Sequence, residues 1–214
     1  MSSDFFDVRR EYLHGCLDES EMAADPLLQF ELWLNQATHA GLDLPNAMVL
    51  ATATAAGIPS ARYVLLKGFS DTGFVFFTNT SSLKGRQLQE NPHASLLFYW
   101  SPMDRQVRIE GTVSMVEQQE ADDYFSSRPY DARINTWVAP QSSVVENRDF
   151  LEQRRSLLQD QYNGADVPRP VDWSGYRVFP VQMEFWQGRE NRLHDRILYQ
   201  RENGERWSKQ RLAP

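Results

Sequence analysis

The chain has a single cysteine, Cys16, so no disulfide can form within it. A reduced, cytoplasmic setting is expected on that ground. Cys16 belongs to no ligand cluster, and His14, His39 and His93 are scattered, so no metal site is expected. No apolar run approaches the length of a membrane span, and no membrane partner is expected. Met1 to Arg10 is polar and lacks the apolar core of a secretory leader. Positive charge is in deficit: 22 Lys and Arg against 29 Asp and Glu leave a formal charge of −7. That excludes the global electrostatic footprint of a nucleic-acid binder. Gly-x-Gly-x-x-Gly and Walker-type loops are missing, which argues against a Rossmann site or a P-loop. There is no internal repeat and no low-complexity tract. Apolar residues make up 41%, enough for a buried core, and the length suits one large domain or two at most.

The first 24 residues are polar and without clear periodicity, and are expected to be a flexible N-terminal segment. A single domain is expected over 25–214. Asp25-Pro26 starts a helix, with Asp as N-cap and Pro in the first turn. Leu27, Phe30, Leu34 and Ala37 follow at helical spacing, and Gly41 is a plausible stop. Strands are expected over 47–54, 60–67, 73–79, 93–100 and 106–116, the first two forming a hairpin around Ala55 to Pro59. A short helix starts near Ser81-Ser82 and ends at Glu90, before Asn91-Pro92. Helices are expected over 121–127, 131–138 and from Asn147 to near Gly164, the last with an apolar stripe of Phe150, Leu151, Leu157, Leu158 and Tyr162. The final strands are 176–187, 193–201 and 206–211, with Asn203-Gly204 as a hairpin turn. Adjacent hairpins argue for an antiparallel barrel with flanking helices rather than a parallel sheet.

Cations recur in apolar surroundings. Arg192, His194 and Arg196 alternate and fall on one face of an extended segment. That face meets either water or an anion, because a buried cation without a partner is costly. Arg62 and Lys67 bracket Tyr-Val-Leu-Leu on opposite faces of a regular strand. Either each snorkels from a strand end, or they serve two separate anions. Lys84 sits in the first turn of a short helix, as a surface lysine or as a phosphate contact. Tyr124 and Arg128 share a helix face, as a stacked surface pair or as a clamp for phosphate. Local cations in an acidic protein point to small phosphorylated ligands.

One family resemblance spans nearly the whole sequence. It is carried by Arg9-Arg10-Glu11-Tyr12, Asp25-Pro26-Leu27, Arg62-Tyr63-Val64-Leu65-Leu66-Lys67, Phe77-Thr78-Asn79, Ser127-Arg128-Pro129 and Gln141-Ser142-Ser143. It continues through Glu184-Phe185-Trp186-Gln187 and Arg192-Leu193-His194-Asp195-Arg196 to Arg211-Leu212-Ala213-Pro214. In these motifs and their order the chain resembles pyridoxine (pyridoxamine) 5′-phosphate oxidase. The resemblance implies a mainly β, antiparallel FMN-binding split barrel with flanking α-helices, assembled as a homodimer with FMN at the subunit interface. It implies oxidation of pyridoxamine and pyridoxine 5′-phosphates to pyridoxal 5′-phosphate. Oxygen is the acceptor, and hydrogen peroxide and, from the amine, ammonia are released, in vitamin B6 biosynthesis and salvage.

By the same resemblance, Arg62, Tyr63, Val64, Leu65, Leu66, Lys67, Phe77, Thr78, Lys84, Gln106, Gln141, Ser142, Trp186 and Arg196 surround FMN. Lys67, Tyr124 and Arg128 hold the substrate phosphate. Arg192 and His194 lie over the substrate ring as the catalytic pair, and Arg9 and Tyr12 close the pocket as a lid. The chain departs from the family pattern twice. Leu83 stands where an arginine usually precedes Lys84, and Ala132 stands where a serine usually faces the substrate phosphate. Two other readings remain: a related split-barrel oxidase of the phenazine-biosynthesis type, and a non-catalytic carrier of FMN or pyridoxal phosphate.

Overall fold

The computed structural model describes residues 11–12, 15–202 and 206–214. Its helices are α1 (Pro26–His39), α2 (Leu83–Glu90), α3 (Gln118–Ser127), α4 (Tyr130–Thr136) and α5 (Arg148–Tyr162). Its strands are β1 (Ala47–Ala53), β2 (Pro59–Leu65), β3 (Gly68–Ser70), β4 (Gly73–Asn79), β5 (His93–Trp100), β6 (Arg105–Met115), β7 (Trp173–Gln187), β8 (Asp195–Glu202) and β9 (Arg206–Leu212). The sheet order is β2-β1-β5-β6-β7-β4-β3, with β8 pairing β7 and β9 pairing β8. The β3–β4, β4–β7, β7–β8 and β8–β9 pairs are antiparallel.

The chain divides into two compact units. The first is drawn from 1–50, 95–111 and 180–214, the second from 51–94 and 112–179.

In the first unit, Asp25 caps α1 by accepting from the Leu27 N–H at 2.9 Å, with Pro26 next in line. The buried face of α1 is Pro26, Gln29, Phe30, Trp33 and Ala37. The expected stripe is therefore rotated: Trp33 takes the place given to Leu34, which is only half-buried. An indole fills what a leucine cannot. Trp33 meets Phe185 edge-on at 5.3 Å, and the Arg105 guanidinium lies 4.5 Å from its ring. Phe30 packs on Phe98 at 5.0 Å, and Phe185 on Tyr199 at 5.5 Å.

In the second unit, β4 supplies a nearly continuous buried run. Ser82 caps α2 by accepting from the Gly85 N–H at 3.3 Å. A Cβ on Gly85 would stand 2.1 Å from the Thr80 carbonyl oxygen, so glycine alone lets the first turn of α2 seat this closely. Asn147 caps α5 at the Phe150 N–H, 2.8 Å. Of the expected α5 stripe only Leu158 is buried, in a cluster with Ile134 and Val167. Phe150 and Leu157 face solvent at 38% and 61% exposure.

Most expected elements lie within a few residues of their observed bounds. β3 has only three residues, too few to set up a periodicity, and was not foreseen. The strand pairing expected around Asn203-Gly204 is present in β8 and β9, though that turn itself lies outside the described residues.

Candidate active site

A cavity of about 820 Å³ opens in the second unit. β2 brings Arg62, Tyr63, Val64 and Leu65 to it, and Lys67 follows from just beyond that strand. β4 brings Phe77 and Thr78, α2 brings Lys84, and α3 brings Tyr124 with Arg128 as its C-cap. Ala132 and Gln141 also line it, Asn135, Thr136 and Trp173 join them unforeseen, and the expected Leu83 and Ser142 are not part of its lining. Leu66 is buried in the core at 5% exposure.

Lys84 is 8% exposed. Its Nζ donates to Gln141 Oε1 at 2.8 Å, Thr78 Oγ1 at 3.1 Å and Ser82 Oγ at 3.3 Å. Burial, with the Arg62 charge nearby, pulls its pKa down to about 8. The surface-lysine alternative is thereby excluded. Arg62 donates to Thr52 Oγ1 at 2.6 Å and Ser60 Oγ at 2.9 Å, and burial lowers its pKa as well. Leu83 is 44% exposed, but its N–H donates to Ser142 Oγ at 3.3 Å. The position that lacks the expected arginine thus still fixes the Gln141-Ser142 loop through its backbone.

The assignment of Arg62 and Lys67 to opposite faces of one strand needs correction. β2 ends at Leu65, Lys67 lies past it with its N–H on the Val75 carbonyl at 2.8 Å, and both residues line the same cavity.

Tyr124 stacks on Phe77 with centroids 4.0 Å apart, and Lys67 Nζ lies 5.8 Å from the Tyr124 ring. Arg128 lies 4.9 Å from the Trp173 ring and donates to Thr136 Oγ1 at 2.8 Å. Thr136 Oγ1 in turn donates to the Ala132 carbonyl at 2.9 Å. Burial lowers the Arg128 pKa, partly opposed by Tyr124. The pair is a wall of the cavity, not a stacked surface decoration.

The remaining expected residues belong to the first unit. Gln106 is half-buried on β6. Arg9 lies outside the described residues. The alternation argument for Arg192, His194 and Arg196 fails. Residues Glu190–Arg192 form a 3-10 turn, Asn191 and Arg192 hold positive φ of 54° and 61°, and β8 begins only at Asp195. A strand period cannot run through a left-handed turn. Only Arg196 is on the strand, opposite Trp186.

His194 sits beside that turn instead. Its Nδ1 accepts the Arg189 N–H at 3.1 Å, which leaves Nε2 to carry the ring proton. Burial first, then the Arg192 charge, lowers its pKa, with Asp195 opposing. Tyr12 meets His194 edge-on at 5.3 Å and Trp186 at 5.5 Å. A Cβ on Gly188 would come within 2.6 Å of the Tyr12 ring, so a side chain there would displace Tyr12. Glu184 was not foreseen as part of the site. It is 4% exposed and pairs with both Arg196 and Arg108. A carboxylate next to Phe-Trp in a strand was the available signal.

Residues 34–161 match the family model described as pyridoxamine 5′-phosphate oxidase. Residues 173–214 match the one described as pyridoxine 5′-phosphate oxidase C-terminal dimerisation region. The chain belongs to the pyridoxine/pyridoxamine 5′-phosphate oxidase family. It is accordingly an oxidase. It is 51% identical over 214 residues, all of both chains, to the pyridoxine/pyridoxamine 5′-phosphate oxidase of Gloeothece citriformis. It is 52% identical over 212 residues to that of Paraburkholderia phymatum, covering 99% of this chain and 100% of the relative. Among solved structures, PhzG from Burkholderia lata 383 in complex with tetrahydrophenazine-1-carboxylic acid superposes with a TM-score of 0.88. It is 32% identical and covers 94% of this chain and 99% of that one. A pyridoxamine 5′-phosphate oxidase-related, FMN binding protein from Nostoc punctiforme gives a TM-score of 0.71 at 20% identity, over 90% of this chain and 100% of that one. The fold is the family's split β-barrel with flanking helices.

Proposed function

We propose that the chain oxidises pyridoxamine 5′-phosphate and pyridoxine 5′-phosphate to pyridoxal 5′-phosphate, with FMN as cofactor and oxygen as acceptor. Hydrogen peroxide is the by-product, with ammonia from the amine. The observation that carries this reading is the donor set of the cavity. Among the described residues, Lys84 donates only to the neutral oxygens of Thr78, Ser82 and Gln141, and Arg128 only to that of Thr136. Cations gathered without carboxylates fit phosphorylated ligands. The volume of about 820 Å³ falls within the range of about 300–1,000 Å³ for cofactor and small-molecule sites.

The bound flavin supplies the two-electron chemistry, and the protein supplies position and electrostatics. Arg62 and Lys84 hold the cofactor phosphate, with Tyr63, Val64, Leu65, Leu66, Lys67, Phe77, Thr78, Gln141 and Ser142 around it. Gln106, Trp186 and Arg196 contribute the remaining contacts in a homodimer, a reading supported by the match of 173–214 to a dimerisation region. Tyr124, Arg128 and Lys67 bind the substrate phosphate. Arg192 and the Nε2–H of His194 address the ring, with Arg9 and Tyr12 as its cover. A cytoplasmic setting agrees with the single free thiol of Cys16.

The likeness to PhzG favours a second reading, an oxidase acting on a reduced phenazine carboxylate. The test is turnover. Purified protein with FMN should convert pyridoxamine 5′-phosphate and release peroxide stoichiometrically. Flavin loading without turnover would leave a carrier, and turnover of tetrahydrophenazine-1-carboxylic acid alone would leave the second reading.

A further inference from the structure

Residues 17–22 are strapped to the last two strands by bonds that the proposed chemistry does not use. The Leu17 N–H donates to Asp195 Oδ2 at 3.0 Å. Arg211 Nη1 donates to Asp195 Oδ1 at 2.6 Å, and Arg211 Nη2 donates to the Leu17 carbonyl at 2.9 Å. The three groups close a ring. Arg211 Nε continues to Glu19 Oε1 at 2.9 Å, and Lys209 Nζ donates to the carbonyls of Glu19 and of Met22, the latter at 3.2 Å. Arg189 Nη1 adds a second cation to Asp195 Oδ2 at 3.2 Å. The Asp195 side chain is 14% exposed, so these bonds are shielded from water.

The ring lies one residue from the proposed chemistry. Asp195 follows His194 directly, and Tyr12, a few residues before Leu17, lies against His194, Trp186 and Gly188. Among the described residues, Tyr12 makes its contacts through ring edges and van der Waals surface. Such contacts are individually weak and need an anchor nearby to hold one geometry. Among the described residues, Leu17 is the next one along the chain with hydrogen bonds to hold it. Burial alone would raise the Asp195 pKa, but the Leu17 and Arg211 hydrogen bonds and the Arg189 and Arg211 charges hold it below the usual carboxylate value.

We propose that Asp195 is a positioning residue: by clamping Leu17 together with Arg211 it holds Tyr12 over His194 and so closes the site on the substrate. This rests on the reading of His194 and Tyr12 as substrate-facing. A carboxylate is needed because both its oxygens accept. An asparagine of the same shape must turn an N–H toward either Leu17 or Arg211.

The experiment uses flavin-loaded full-length protein and three readouts: hydrogen exchange at the Leu17 amide, chymotryptic cleavage after Tyr12, and steady-state kinetics with pyridoxamine 5′-phosphate. Asp195→Asn should speed exchange and cleavage about tenfold or more, as local opening becomes easier. It should raise KM about tenfold, the equivalent of one hydrogen bond to a charged group, with kcat within about twofold and flavin content unchanged. Gly188→Ala pushes Tyr12 aside without touching the clamp. It should raise KM and speed cleavage while Leu17 exchange stays at the wild-type rate. The proposal is overturned if Asp195→Asn frees Leu17 and Tyr12 but leaves KM alone, or if Gly188→Ala leaves KM alone. The second arm decides the matter even where Asp195→Asn fails to fold. Loss of turnover in the wild-type protein, with exchange and cleavage responding as described, would reject the substrate reading and leave the clamp standing.

Discussion

Glu184 grips Arg196 with both carboxylate oxygens, taking Nε at 2.8 Å on Oε1 and Nη2 at 3.2 Å on Oε2. Arg108 Nη2 shares Oε2 at 2.6 Å, and Arg196 Nη1 donates to the Ala213 carbonyl at 2.9 Å. A planar guanidinium held on two sides has little freedom left. Glu184→Gln keeps the shape and removes the charge. It is expected to weaken FMN binding about tenfold to a hundredfold, on the scale of one hydrogen bond to a charged group, while the protein stays dimeric. Flavin fluorescence titration alongside sedimentation measures both. Unchanged affinity would mean that Arg196 reaches no cofactor.

The same carboxylate sets an acid limit. Burial acts to raise the Glu184 pKa, but the hydrogen bonds and charges of Arg196 and Arg108 outweigh it, and the net direction is down. A depressed carboxyl pKa contributes stability that is present above the unfolded value, 4.5, and is lost as pH falls through the lower folded value. Wild-type protein should therefore lose denaturant resistance below pH 4.5 more steeply than Glu184→Gln. Parallel urea midpoints between neutral and acid pH check this.

Lys84 gives the same slope in an alkaline window, for a different reason: burial penalises its charged form. Its folded pKa of about 8 lies below the ordinary 10.5, so between these values the unfolded chain binds more protons. Stability of the flavin-free protein should rise with pH across that window, and Lys84→Met should flatten the rise while weakening FMN. Urea titrations at the two ends of the window decide it. An equal rise in the variant would assign the effect to another group.

Ala132→Ser should lower KM for pyridoxamine 5′-phosphate by up to about tenfold, or about 1.4 kcal/mol, with flavin content unchanged. Ala132 lines the cavity beside Arg128, and its carbonyl already binds Thr136. A new hydroxyl there adds a donor without displacing either partner. An unaltered KM would mean that Thr136 or Asn135 fills the role.

Arg192→Met should lower kcat/KM by on the order of a hundredfold, about 2.7 kcal/mol, in protein that remains yellow. The exposed Arg192 sits at φ 61° beside His194, whose pKa it depresses. Kinetics and flavin content on one preparation give the answer. Loss of flavin with normal residual turnover would exchange the roles of Arg192 and Arg196.

Local signals were legible where one residue decides one feature. Asp25, Ser82 and Asn147 each cap the helix they were expected to cap. Strand bounds followed from apolar runs, as in β4. The cavity residues around Lys84 and Arg128 were named from motifs, but the burial of Lys84 was not visible, because it depends on the close seating of Gly85 against Thr80. The alternation at Arg192 misled because a left-handed turn leaves no periodic trace. Glu184 and the Asp195–Arg211–Leu17 ring were missed for a different reason. Their partners are far apart in sequence, and a single charged residue does not announce a distant mate.

With the cofactor phosphate on Lys84 as proposed, a lysine that burial pulls down to about 8 would also make cofactor loading a proton-coupled event. An arriving phosphate restores the ammonium form, so at mildly alkaline pH a fraction of a proton is drawn from solvent for each site filled. The apparent affinity then falls as pH rises through the titration of Lys84. The measured binding heat depends on which buffer surrenders the proton. Flavin uptake would thereby be geared to the acidity of the medium by a side chain that takes no part in the oxidation itself.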